Sequence, residues 1–107
     1  MVLLAVKEEI ILGALMMLEG SSSGAPLRKM VIELSKKEIV YGTLYNLLEV
    51  LIRKGYVITK KTEPKAVQGG RRKTIYIITK EGEAALNETM NIHESIKKKL
   101  EGFESGS

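Results

Sequence analysis

Two groups of side chains in this 107-residue sequence have the makings of a recognition surface. The first is Tyr41, Thr43, Tyr45 and Asn46, crowded at the start of an amphipathic stretch. The second is Arg71, Arg72 and Lys73, placed directly after a Gly69-Gly70 pair. Phenol, hydroxyl and carboxamide groups exchange hydrogen bonds with base edges, whereas guanidinium and ammonium groups bind phosphate oxygens. Asn46 offers a donor and an acceptor together, the pattern that suits adenine N6 and N7. Lys36 and Lys37, just ahead of the first group, add two cations. The chemistry is that of holding a polyanion and reading it.

Catalysis has little to draw on. The chain has no Cys and no Asp, and its single His is His93. Thiol chemistry, disulfides and Cys-ligated zinc are excluded, and a metal site or hydrolytic triad lacks parts. We therefore expect no enzyme activity, no metal and no cofactor. No segment approaches the roughly 18 apolar residues of a membrane span. The apolar run Val2–Val6 lacks a basic flank and stops at Lys7, Glu8 and Glu9, unlike a secretory signal. A reducing cytoplasm suits such a chain. Net charge is +4, but it is segregated: residues 28–73 hold twelve Lys or Arg against four Glu, and the flanks are net acidic. A polyanion has a preferred side to approach.

The elements that must position these groups can be read from periodicity. Ile10–Leu18 is apolar nearly all the way round and predicts a helix covered on more than one side. Gly20 to Gly24 reads as a loop, and Pro26 suits the first turn of a second helix carrying Leu27, Met30, Val31 and Leu34 inward. A third helix over Tyr41–Lys54 buries Leu44, Leu47, Leu48, Leu51 and Ile52. The four recognition residues lie off that stripe, so replacing Tyr45 or Asn46 with alanine is expected to spare the fold. Gly55 stops the helix. Two β-branched and aromatic runs, 56–62 and 73–79, form a hairpin tipped by Gly69, Gly70, Arg71 and Arg72. Helix followed by basic hairpin offers a duplex one element narrow enough for the major groove and a charged loop beside it.

Thr79 caps a last helix in which a heptad is legible. Leu86, His93 and Leu100 share one seam position, and Thr89, Ile96 and Phe103 the other, with Met90 widening the seam. This helix outruns so short a domain, which predicts a second copy as its partner. The expected dimer interface comprises Ile11, Leu15, Leu18, Leu86, Met90, His93, Ile96, Leu100 and Phe103. His93 reads first as a satisfied or half-exposed residue with no role; the alternative is that, as the single His in an apolar seam, it makes assembly sensitive to pH.

Gly42-Thr43-Leu44-Tyr45, Leu48, Leu51, Lys54-Gly55-Tyr56-Val57, Gly69-Gly70-Arg71-Arg72-Lys73, Tyr76, Ile78-Thr79 and Gly82 together resemble the PadR family of transcriptional regulators, over residues 10 to about 86. The single C-terminal helix is similar to the smaller members. The resemblance implies an α+β, mainly α fold: a winged helix-turn-helix with a two-stranded wing over residues 1–82 and a dimerisation helix at 83–103; the Gly-Ser-like composition of residues 104–107 predicts a disordered tail. The resemblance further implies a homodimeric repressor on a pseudo-palindromic operator in double-stranded DNA, with the third helix in the major groove and a small-molecule effector near the dimer interface. Ser23-Gly24-Ala25 replaces the family's His-Gly-Tyr-like string, and Asn46 stands where the family favours Pro. A winged-helix adaptor for RNA or a protein partner is the alternative, separated by salt-dependent binding of a duplex.

Overall fold

The computed structural model describes residues 2–62 and 73–105. Helices α1 (Val6–Met17), α2 (Gly24–Ser35) and α3 (Tyr41–Arg53) precede a sheet and the long α4 (Lys80–Ser105). The strands are β1 (Ser21–Ser22), β2 (Val57–Lys61) and β3 (Thr74–Ile78), antiparallel in the order β1-β3-β2. Expectation placed a loop at Ser21–Gly24 and two strands in the sheet. Instead Ser21 and Ser22 pair with Ile77 and Tyr76, filling the free edge of β3. Two serines carry no period-2 apolar signal, so backbone pairing alone makes this strand.

The core draws on every helix. Ile11, Leu12 and Leu15 of α1 meet Leu27 and Val31 of α2, Leu44, Leu48 and Leu51 of α3, Val57 of β2, Ile78 of β3 and Ala85 and Leu86 of α4. The predicted stripes of α2 and α3 are therefore largely confirmed. Leu34 differs: it is exposed at the end of α2. Gly55 ends α3 with φ 82°, and the Tyr56 amide then donates to the Leu51 carbonyl at 3.0 Å.

Three expected interface residues, Ile11, Leu15 and Leu86, turn out to belong to this core, at 1%, 0% and 5% exposure. Helices α2, α3 and α4 of the same chain cover much of the apolar surface of α1, while Val6, Met16 and Met17 stay exposed. Thr89 is likewise interior. Its hydroxyl donates to the Ala85 carbonyl (2.8 Å) and accepts the Leu4 amide (3.0 Å), strapping the N-terminal segment to α4. Helix α4 starts at Lys80, and Ala85 and Leu86 in its first turns complete the core. Thr79 caps it as expected, its hydroxyl accepting the Gly82 amide at 3.0 Å. Residues 104 and 105 continue the helix rather than forming a tail, and 106–107 lie outside the described residues.

Among the described residues one charge is interior. Glu8 is 5% exposed; its carboxylate accepts the Ala5 amide at 3.0 Å and the Lys54 ammonium at 2.6 Å, tying the start of α1 to the end of α3. Burial pushes its pKa up, but the Lys54 and Ala5 hydrogen bonds and the Lys54 charge outweigh that, leaving it below the ordinary carboxylate value. A lowered folded pKa contributes stability above the unfolded value and loses it as pH falls through the folded one. Lys54→Met should therefore cost about 1–3 kcal/mol at neutral pH by stranding a buried carboxylate. That gap should shrink in acid, where Glu8 takes a proton; urea unfolding of both proteins at pH 7 and pH 3 measures it. An equal gap at both would show that packing, not charge, is what Lys54 supplies.

Candidate nucleic-acid interface

The turn between α2 and α3 is built by Arg28. Its Nε donates to the Ile39 carbonyl at 2.6 Å, its Nη2 meets Glu38 at 3.3 Å, and its guanidinium lies 4.9 Å from the Tyr41 ring centroid. From there a run of aromatics crosses the surface. Tyr41 stacks on Tyr45 (5.7 Å between centroids, 27°), and Tyr45 on Tyr76 of β3 (6.3 Å, 25°). The phenolic end of Tyr45 rests against Gly24, where a Cβ would stand 2.6 Å from the hydroxyl oxygen. That contact accounts for glycine within Ser23-Gly24-Ala25.

Ser23, Gly24, Ala25, Tyr41, Tyr45, Lys73, Thr74 and Tyr76 line one crevice of about 580 Å³. The start of α2, the start of α3 and the base of the wing thus share a surface. Burial, then the neighbouring Tyr45 and Glu49, raises the Tyr76 phenol above its ordinary value, so it stays a neutral donor. Tyr76 was not foreseen: it sits among Ile75, Ile77 and Ile78, and four apolar residues in a row hide which face is which.

Each expected recognition residue can now be placed. Tyr41, Tyr45 and Asn46 are exposed at the N-terminal end of α3, and Lys73 is exposed where the Lys73 carbonyl accepts the Thr62 amide at 2.9 Å. Thr43 is exposed too, but with Lys37 it lines a different groove, of about 740 Å³ between α1, α2 and α3. Lys36 is exposed in the left-handed turn ending α2 (φ 60°). Arg71 and Arg72 lie outside the described residues. Among the dimer residues, Leu18 is half-buried, and Met90, His93, Ile96, Leu100 and Phe103 are exposed. The His93 side chain is half-exposed and has a partner in its own chain: its Nε2 lies 3.0 Å from a Glu9 carboxylate oxygen.

Helices α2 and α3 joined by a short turn, followed by a β2–β3 hairpin with β1 at its edge, define a winged helix-turn-helix, a DNA-binding fold. The match to a family model is direct. Residues 11–88 match the transcriptional regulator PadR-like family, and the chain belongs to it. No curated protein matches. Solved structures that the chain resembles include a PadR family transcription regulator from Clostridium difficile R20291, with TM-score 0.73 and 21% identity over 92% of this chain and 98% of that one. A transcriptional regulator from Clostridium thermocellum gives TM-score 0.66 and 26% identity over 90% of each chain. Bacillus subtilis PadR in complex with operator DNA gives TM-score 0.65 and 22% identity over 79% of this chain and 46% of that one. The chain is thus a DNA-binding transcriptional regulator of winged-helix type, not an enzyme. No described helix is long and apolar enough to cross a membrane.

Proposed function

We propose that this protein is a homodimeric repressor that recognises a pseudo-palindromic operator and is released from it by a small-molecule effector. The observation that carries the reading is the exposed N-terminal end of α3, with Tyr41, Tyr45 and Asn46, standing beside Lys73 at the base of the wing. In that arrangement Asn46 reads a base edge in the major groove, Tyr41 and Tyr45 cover sugar or methyl groups, and Lys36, Lys37, Arg71, Arg72 and Lys73 hold phosphates. Two-fold symmetry doubles the contact and turns a short half-site into an operator. The second half of α4 supports the dimer: Ile96, Leu100 and Phe103 follow i, i+4, i+7 spacing at 52%, 59% and 82% exposure. Val6, Met16 and Met17 leave a second apolar strip on α1. For the effector, the groove between α1, α2 and α3 has the size of a small-molecule site and touches Val40 and Thr43 at the start of α3.

The test is selection of bound sequences from a random duplex pool, followed by titration of the recovered duplex at several salt concentrations. A symmetric consensus and affinity that falls steeply with salt are expected. Recovery of no consensus would refute operator recognition. Within the same assay, Lys73→Ala should weaken binding to recovered and random duplexes alike and lower the salt slope by about one. Unchanged binding to random DNA with altered sequence preference would make the wing a reader of bases.

A further inference from the structure

Several glycines answer to the fold. Gly20 and Gly55 have φ of 93° and 82°, Gly24 makes room for Tyr45, and a Cβ on Gly82 would overlap the Tyr56 carbonyl. Gly42 answers to none of these. It is the second residue of α3, exposed, without a positive φ, and a Cβ built there meets nothing within 4 Å. Any L residue would fit, and glycine is among the poorest helix formers. Gly13 and Gly102 are equally open, but they lie on α1 and near the end of α4, away from this surface. Gly42 alone sits amid Tyr41, Thr43, Tyr45 and Asn46. Those side chains stand around a bare patch of helix backbone.

We propose that Gly42 is a clearance residue, where the duplex closes against the α3 backbone and the missing side chain sets how deeply the helix seats in the major groove. The inference rests on the operator reading above. A Cβ at this position adds nothing inside the protein and occupies only space outside it, so its cost falls on the complex. Seating depth in turn decides whether Asn46, one turn further along α3, reaches a base edge within hydrogen-bonding distance. Gly42 would thus be a specificity-determining position with no side chain of its own.

Gly42→Ala and Gly42→Leu test this, using the duplex that the wild-type protein recovers from a random pool and a thermal melt of each variant without DNA. Alanine should leave the melting temperature unchanged or raised while weakening binding to that duplex about tenfold, and leucine should weaken it about a hundredfold. Affinities of both variants within about twofold of wild type would overturn the inference, as would a lowered melting temperature for Gly42→Ala, since the glycine would then serve the fold. If leucine prevents folding, the alanine variant alone decides. Failure of the wild type to recover any duplex sinks the operator reading and this inference together, whereas recovery with undiminished variants sinks the inference alone.

Discussion

Ile96→Glu combined with Leu100→Glu is expected to turn the protein into a folded monomer. The wild type should sediment at roughly twice the 11.9 kDa of one chain at micromolar concentration. Both side chains are more than half exposed on the part of α4 that projects beyond its own core, so the protomer does not need them. A dimer does, because each glutamate would place an unpaired charge in an apolar contact. At a few kcal/mol for each, the dissociation constant should rise by at least about a thousandfold. Leu86→Glu is the contrast. Leu86 is 5% exposed within the protomer, and a charge there should abolish folding instead of assembly. Sedimentation velocity with circular dichroism separates the two outcomes. A wild type that sediments as a folded monomer at these concentrations would end the dimer reading.

That contrast shows where sequence was informative and where it was not. The heptad from Leu86 to Phe103 is real as a pattern, but its two halves lie in different surroundings. Its first members, Leu86 and Thr89, close the protomer's own core, and only from Met90 onward does the stripe face outward. Periodicity reports that a face is apolar; it cannot report whose surface covers it. The same limit led to Ile11 and Leu15 being assigned to a partner, when α2, α3 and α4 all converge on α1. Leu34 failed in the opposite direction, since a stripe can outlast the neighbour it packs on. Stronger signals survived. Gly55, Thr79 and the α3 stripe each demand one local geometry, and each has it. Ser21–Ser22 became a strand because β3 offered an edge, a fact available only in three dimensions. Likewise Tyr41, Tyr45 and Tyr76 were visible as residues, but their stacking across α3 and β3 depends on the hairpin folding back.

The stacking divides two residues that the sequence treats alike. Asn46 is exposed and makes no side-chain hydrogen bond among the described residues, so Asn46→Ala should change stability by no more than about 0.5 kcal/mol. Its effect should fall on recognition. Losing a paired donor and acceptor at an adenine edge is worth about 1–3 kcal/mol, or roughly 5- to 150-fold in operator affinity, with random-sequence affinity little changed. Tyr45 is only 40% exposed, stacked between Tyr41 and Tyr76 and seated on Gly24. Two ring contacts at about 0.5–1.5 kcal/mol each mean that Tyr45→Ala should cost about 1–3 kcal/mol of stability, against the expectation drawn from its place off the stripe. Tyr45→Phe separates its roles, keeping the stack and removing the hydroxyl. If Tyr45→Phe melts like wild type but binds all duplexes more weakly, the hydroxyl holds a phosphate. If it binds like wild type while Tyr45→Ala loses both stability and affinity, Tyr45 acts as a brace that aims α3, and reading falls to its neighbours. The decisive comparison is Asn46→Ala on operator and scrambled duplex, measured beside a thermal melt. Equal preference for operator in variant and wild type would place Asn46 in solvent and remove the main support for α3 as the reading helix.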